Sequence, residues 1–247
     1  MLAVQRATVI LQQLSLNRTI SLTDLCRITG ASQATIRRDL KALEQQRQLV
    51  RVHGGAASLD GEVFLEREPD LAAMLRYANE KKRIARYAAS LVAENDVVYL
   101  DTGTTVLHLA DYLKKSKALF VTGNIELAGK LSAHKCHVYV LGGLLKPGTM
   151  DVVRAEAQEV LRRYNFTKVF LGASGISISQ GFTTSDPEAA ALKVLAASQA
   201  HTVYILADSS KFGLVTATTI LPLEAAQIIT DILPDRKYLD YTEVIAV

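Results

Sequence analysis

Apolar and polar positions along this chain follow two different rhythms. In the first 48 residues the rhythm is helical. Val4, Ala7, Ile10, Leu11 and Leu14 predict a helix from about Val4 to Leu16. After a turn around Asn17–Thr19, Ser21 is placed to cap a second helix with apolar positions Leu22, Leu25, Cys26 and Ile28. Gly30 supplies the left-handed residue that ends it. Ser32 caps a third helix, QATIRRDLKALEQQ, whose buried stripe is Ile36, Leu40 and Leu43. Leu49 to Val52 alternates as a strand does, and Gly54-Gly55 provides a turn. Two short helices joined at a glycine and followed by a hairpin predict a winged helix-turn-helix.

From Lys81 onward the rhythm changes to short apolar runs separated by helices. A helix bearing Ile84, Ala85, Ala88 and Leu91 leads into Val97–Leu100. Further runs are Leu119–Thr122, His137–Leu141, Lys168–Leu171, Val203–Ala207 and Ile228–Thr230. Helical stretches between them include Glu126–Ser132, Ala155–Arg163 and Pro187–Ala200. This alternation predicts an α/β domain, a largely parallel sheet covered on both faces. The segment between the two regimes lacks periodicity at its start and contains Asp60-Gly61 and Pro69. The expected division is residues 1–57 as the winged head, 58–80 as a connector and 81–247 as an effector-binding and oligomerisation domain.

Composition narrows the classes. Of 247 residues, 49% are hydrophobic and 21% charged, which suits a globular chain and argues against disorder. No run of 18 apolar residues exists, so no membrane span is expected. Arg6 interrupts the opening MLAVQRATVILQQL, which reads as an amphipathic helix and not a signal peptide, so a cytoplasmic protein is expected. Cys26 and Cys136 make no metal spacing; two reduced thiols, no metal and no cofactor are the expectation. The net charge of +3 hides an asymmetry. Residues 1–55 hold eight basic and three acidic groups, +5, while the other 192 hold 20 and 22, −2. A basic head on a mildly acidic body suggests contact with a polyanion, although a solvated basic face would show the same charge.

The third helix concentrates that charge. Gln33, Thr35, Arg37, Arg38 and Lys41 lie off its apolar stripe, so the core has no claim on them. A recognition helix reads base edges with its N-terminal residues, Arg pairing with guanine and Gln with adenine, while Thr or Lys holds phosphate. Asp39 would be repelled by DNA and is expected to restrain a neighbouring arginine. Arg51 and His53 fall near the wing tip, where they could touch phosphate or the minor groove; a histidine bonded to its own turn is the alternative for His53.

In a parallel sheet, ligands bind at the C-terminal ends of strands. There the body offers Asp101-Thr102-Gly103-Thr104-Thr105 leading into the helix VLHLADYL, with hydroxyls and helix-start N–H groups that suit a phosphate. The loop is neither a Walker A nor a dinucleotide motif, and a plain N-cap would look alike. Asn124 in Thr122-Gly123-Asn124, Gly142-Gly143, Gly172 with Gly175, and the run Ala207-Asp208-Ser209-Ser210-Lys211-Phe212-Gly213 also follow apolar runs. Lys211 could neutralise a phosphate, and Asp101 and Asp208 could accept sugar hydroxyls. Lys193 is either a second positive charge or a surface lysine.

Ser32-x-x-Thr35-Ile36-Arg37-Arg38-Asp39-Leu40-x-x-Leu43-Glu44, followed by Arg51-x-His53-Gly54-Gly55-Ala56, closely resembles the DeoR family of bacterial repressors. The resemblance continues through Glu80-Lys81-x-x-Ile84-Ala85, Leu100-Asp101-x-Gly103-Thr104-Thr105, Leu141-Gly142-Gly143, the Asp208–Gly213 run and Ile229-Thr230-Asp231. It implies that Thr35, Arg37 and Arg38 face the operator, and Ser32 at the cap of their helix is a further candidate DNA contact. It also implies a Rossmann-like sensor resembling ribose-phosphate isomerases, and control of a sugar-catabolism operon by a phosphorylated sugar or related metabolite. Partners implied are double-stranded operator DNA, that effector, and further copies of the chain in a dimer or tetramer, with no membrane. Glu62, Phe64 and Arg67 resemble the family's short motif after the wing; a polar linker with one anchoring aromatic is the alternative. The chain departs from the family at Thr122-Gly123-Asn124, where members have Thr-Asn, and at Arg154-Ala155, where members often have Gly-Pro. Arg154 there either adds an anion contact or fills ligand space.

An enzyme, a sugar-phosphate isomerase or transferase with an appended DNA-binding head, is the competing class. Asp101, Asp208 and Lys211 would then supply acid–base chemistry. No nucleophile–base pair is legible, and His108, His134, His137 and His201 are scattered over helices and strand edges.

Overall fold

The computed structural model describes residues 1–17, 19–46, 48–52, 54–57, 63–64 and 77–247. The chain divides into two compact units, Met1–Glu62 and Val63–Val247.

The first unit contains α1 (Ala3–Asn17), β1 (Thr19–Ser21), α2 (Leu22–Thr29), α3 (Gln33–Gln45), β2 (Val50–Val52) and β3 (Gly55–Ala57). The expected caps are in place. Ser21 Oγ accepts from the Asp24 N–H at 3.0 Å, Ser32 Oγ from the Thr35 N–H at 3.3 Å, and Gly30 ends α2 at φ 69°. Ile10, Leu14, Leu25, Ile36, Leu40, Leu43, Leu49 and Ala56 form the core. Two expected core positions are exposed, Val4 and Ile28. Val4 lies on the opening turn of α1. On α2 the inward place four residues after Leu25 is held by Thr29, whose hydroxyl donates to the Leu25 carbonyl at 2.6 Å and so can be buried.

The segment expected as a turn before α2 contributes a third strand, and the wing sheet runs β1-β3-β2, antiparallel throughout. Gly55 sits opposite Ser21, and a Cβ there would lie 2.1 Å from the Ile20 carbonyl oxygen. The close approach of β1 to β3 therefore requires glycine.

The second unit is built on a seven-stranded sheet, β17-β16-β13-β10-β5-β6-β7, in which all neighbours are parallel. The strands are β5 (Val97–Leu100), β6 (Leu119–Thr122), β7 (His137–Val140), β10 (Phe166–Gly172), β13 (Ala200–Leu206), β16 (Gln227–Thr230) and β17 (Val244–Ala246). The central runs are largely apolar because alternate residues feed two cores. Tyr99, Val121, Val169, Leu171, Val203 and Ile205 enter one core, and Val98, Leu100, Phe120, Phe170, Tyr204 and Leu206 the other. The helices are α4 (Ala78–Ser90), α5 (Thr104–Leu107), α6 (Ile125–Ala133), α7 (Ala155–Leu161) and α8 (Pro187–Ser198). The helix expected from VLHLADYL is a single α turn, α5, continued by a 3-10 turn over His108–Tyr112.

Short antiparallel pieces surround this frame. They are the hairpin β8 (Leu144–Lys146) with β9 (Asp151–Val153), and the sheet β11 (Gly175–Ser177), β12 (Gly181–Thr184) and β15 (Thr218–Leu221). Two residues of the expected connector, β4 (Val63–Phe64), pair in parallel with β14 (Val215–Thr216) of the sensor. Asp60-Gly61, Glu62, Arg67 and Pro69 lie outside the described residues.

Two glycines test this packing in opposite directions. Gly55→Ala is expected to destabilise the head by roughly 1–3 kcal/mol, the range for overpacking. Gly129, in α6, has nothing within 4 Å of a built Cβ. Gly129→Ala is expected to stabilise the sensor by about 0.5–1 kcal/mol through helix propensity. Denaturant unfolding of each variant reads both signs; a neutral Gly55→Ala would contradict the close contact of β1 with β3.

Candidate functional site

On α3, Ile36, Leu40 and Leu43 are buried. Gln33, Arg37, Arg38 and Lys41 are thereby left exposed and Thr35 half-buried. The Ser32 and Thr35 hydroxyls are 3.0 Å apart, so Ser32 fixes the helix start where Gln33 and Thr35 project. Asp39 does restrain an arginine, but not one on its own helix. Arg6 of α1 donates from Nε to Oδ2 at 2.6 Å and from its terminal nitrogen to Oδ1 at 3.1 Å, a bidentate pair.

The head's other two acidic groups are also paired. Asp24 meets Arg27 at 2.9 Å, and Glu44 meets Arg51 at 2.6 Å. The Ser21 hydroxyl and then Arg27 hold the Asp24 carboxyl below the usual range, and Arg51 does the same for Glu44. Arg51 is thus engaged by α3, although it remains exposed; His53 lies outside the described residues. Among the described residues, Arg37, Arg38 and Lys41 make no ion pair. The result is a stripe of three uncompensated cations on a helix locked to the core.

In the body, β5 and β10 are neighbours from which the chain proceeds in opposite directions, to β6 and β7 on one side and to β13, β16 and β17 on the other. Such a switch point opens a crevice at the strand ends. Asp101 and Gly172 stand there. Asp101 Oδ2 accepts from the Gly172 N–H at 2.8 Å and from the ammonium of Lys193 on α8, which also donates to the Gly172 carbonyl at 3.1 Å. Both side chains are about fully buried, at 3% and 5% exposure. Lys193 is therefore not the surface lysine of the alternative reading, and its positive charge is spent inside the frame. It neutralises Asp101.

The remaining expected residues take distinct places. Gly103, at φ 140°, is exposed and opens α5, with Thr104 half-buried and Thr105 buried. The first N–H groups of a helix have no intrahelical acceptor, so this turn can still offer donors. Asn124 has no such capacity left. Its Nδ2 donates to the Thr149 carbonyl at 3.1 Å and to Asp151 Oδ1 at 2.8 Å, while its Oδ1 caps α6 at the Leu127 N–H, 2.8 Å. Gly142 is exposed, and a Cβ on Gly143 would lie 2.7 Å from the Val153 carbonyl oxygen. The β8–β9 hairpin thus folds tightly over the end of β7.

Asp208 is buried, and its Oδ1 accepts from the N–H of Ser210 at 3.1 Å and from the Ser210 hydroxyl. Asp231 holds Ser209 at 2.6 Å, and Tyr238 accepts from the Gly213 N–H at 3.2 Å. The loop carrying half-buried Lys211 is thereby fixed at both ends. Arg154 caps α7 at φ 85°, ψ −177°, a glycine region of backbone space, and reaches Glu188 at 3.9 Å. It borders a shallow depression with Ala155, Gln158, Pro187 and Ala191.

Sequence reasoning missed Asp151, Lys146 and Asp186. Asp186 caps α8 and meets Lys146 of β8 at 2.5 Å. Burial pushes the Asp186 carboxyl up, but Lys146 and the Ala189 and Glu188 N–H groups hold it below the usual range. Asp186 directly before Pro187 was a readable cap signal. Lys146 and Asp151 sit on a hairpin too short to show periodicity. Among the described residues, no group of three or more His, Cys, Asp or Glu could hold a metal, and no helix is long and apolar enough to cross a membrane.

A winged helix-turn-helix with an uncompensated cationic recognition helix, carried with a doubly covered parallel sheet, defines a transcriptional regulator with an α/β sensor. Family comparison agrees: residues 6–62 match the DeoR-like helix-turn-helix domain and residues 76–232 the DeoR C terminal sensor domain. The chain is 38% identical over 245 residues to the HTH-type transcriptional regulator FruR of Bacillus subtilis, covering 98% of this chain and 96% of that one. It is 32% identical to the lactose phosphotransferase system repressor of Streptococcus mutans, covering 92% of each. Among solved structures, ribose 5-phosphate isomerase from Plasmodium falciparum overlaps 53% of this chain and 52% of its own at TM-score 0.40 and 20% identity. The chain belongs to the DeoR family of DNA-binding transcriptional regulators.

The buried pair yields a direct test. Lys193→Met leaves Asp101 buried without its counter-charge and is expected to cost about 3–5 kcal/mol. Adding Asp101→Asn should recover a large part of the loss. A double-mutant cycle by denaturant unfolding measures it; additive losses would show that the two residues are not coupled.

Proposed function

We propose that this regulator is a repressor of a sugar-catabolism operon, released or engaged by a phosphorylated sugar or related metabolite. The observation that carries the DNA half is the stripe Arg37, Arg38 and Lys41, left without ionic partners among the described residues, while Asp24, Asp39 and Glu44 are each paired. Gln33, Thr35 and Arg37 are assigned to base edges, Arg38 and Lys41 to phosphate, with Ser32 fixing the helix start and Arg51 and His53 on the wing. A homodimer or tetramer would set two copies of α3 about one DNA turn apart on a paired half-site. The protein acts in the cytoplasm, on the nucleoid when bound.

The effector is assigned to the switch-point crevice, with Gly103, Thr104, Thr105, Gly142, Gly143 and Lys211 around it and Asp101, Asn124, Lys193 and Asp208 as its braced frame. Arg154 is placed at the outer margin, on the α7–α8 surface. The naming of a relative as a lactose phosphotransferase system repressor supports a sugar-linked signal. The role is binding without turnover: Asp101, the carboxylate that acid–base chemistry would use, is already tied to Lys193 and Gly172. To act as a switch, the effector must bind one arrangement of the oligomer more tightly than the other.

The full chain should bind its own promoter region in preference to random DNA, with affinity falling steeply as salt rises. Equal binding to both would defeat the repressor reading. Arg37→Ala should weaken operator binding by roughly tenfold or more, as expected for loss of a bidentate base contact worth about 1–3 kcal/mol, and leave effector binding intact. Lys211→Ala should do the reverse, removing the thermal stabilisation given by a sugar phosphate; an unchanged shift would move the effector elsewhere.

A further inference from the structure

The β8–β9 hairpin is stitched to the rim of the crevice by its backbone. The Ile125 N–H donates to the Met150 carbonyl at 2.9 Å, the Val152 N–H to the Gly123 carbonyl at 2.7 Å, and Asn124 and Asp151 form an antiparallel bridge. Asn124 then holds the Asp151 carboxyl at 2.8 Å. Asn124, which the sequence suggested as an effector contact, has both amide hydrogens engaged and acts as a positioning residue. Asp151 is the polar group it presents. Thr102, on the loop after β5, lies against Asp151, and Asp101 and Lys146 are its charged neighbours. Both neighbours are already committed, Asp101 to Lys193 and Lys146 to Asp186. Burial, together with the charge of Asp101, pushes the Asp151 carboxyl above the ordinary range against the pull of Asn124. Among the described residues, Asp151 makes no ion pair.

We propose that Asp151 selects the effector: it accepts a hydroxyl from a neutral polyol end of the ligand and repels a second phosphate, so the crevice takes sugar monophosphates and excludes bisphosphates. This rests on the effector reading of the crevice given above. An ionised carboxylate only accepts hydrogen bonds, so it pairs with a sugar hydroxyl and not with a phosphate oxygen. A second phosphate would bring nearly two further negative charges against Asp151 in a partly desolvated site, where repulsion is strengthened.

The test is calorimetric titration of the full chain with ribose 5-phosphate, glucose 6-phosphate, fructose 6-phosphate, fructose 1-phosphate and fructose 1,6-bisphosphate. At least one monophosphate should bind, and the bisphosphate should bind about tenfold or more weakly, an effect of one charge-assisted contact. Asp151→Asn, which keeps the shape and the amide partner, should narrow that gap by about tenfold. If the variant does not fold by circular dichroism, Asp151→Ser carries the same expectation. A wild-type chain that prefers the bisphosphate, or a gap unchanged in the folded variant, overturns the role of Asp151 and leaves the crevice as the effector site. If none of the five sugars binds, the effector reading itself fails, and the role of Asp151 with it.

Discussion

The sensor is organised around one buried ion pair. Asp101 directly follows β5 and Gly172 ends β10, the two strands from which the sheet is laid down in opposite directions, and Lys193 of α8 is bonded to both. A buried pair is a weak source of net stability against an apolar alternative, because both charges lose their hydration. What it does supply is position. An ammonium held by a carboxylate and a carbonyl admits one placement of α8 over the sheet. The start of the same helix is fixed by Asp186 with Lys146, and Lys146 belongs to the hairpin that also carries Asp151. The rim of the crevice is therefore a set of polar ties between elements far apart in sequence, laid over two apolar cores that by themselves would allow sliding.

The head solves the complementary problem. It must hold a helix rigidly while keeping that helix positive. Each of its three carboxylates is matched to an arginine that does not face outward from the middle of α3: Arg6 on α1, Arg27 on α2 and Arg51 on β2. Two of these pairs, Arg6 with Asp39 and Arg51 with Glu44, anchor α3 to its surroundings. Charges that would oppose a polyanion are thus used as fasteners.

Much of this was legible in the sequence, and the pattern of success is physical. Caps at Ser21 and Ser32, the glycine stop at Gly30 and the runs Val97–Leu100 and Leu119–Thr122 were readable because each is a local signal. The parallel sheet was readable because its central strands, buried on both faces, carry apolar runs in place of strict alternation. The missed elements are short or depend on partners distant in sequence. β1 is three residues long and forms only against β3; β8 and β9 are three residues each. The candidate site was legible as a set of loops but not as a set of bonds. Nothing local to Lys193 announces Asp101, 92 residues away. Nor does Asn124 reveal that its amide is shared between Thr149 and Asp151. Arg6 left a trace, as the one charge inside the apolar pattern of α1, but its partner did not.

Arg154 carries a different kind of consequence. Its backbone lies where glycine rests without penalty and other residues are held at a cost of order 1–3 kcal/mol. Domains of this kind have only about 5–15 kcal/mol separating the folded from the unfolded chain. One exposed side chain therefore consumes a sizeable share of the margin against unfolding, and leaves the sensor correspondingly less tolerant of damage elsewhere. The turn persists because β9 and α7, on either side of it, are pinned by the sheet and the core. The strained turn at Arg154 thus draws on the same small reserve that protects the packed interior from mutation.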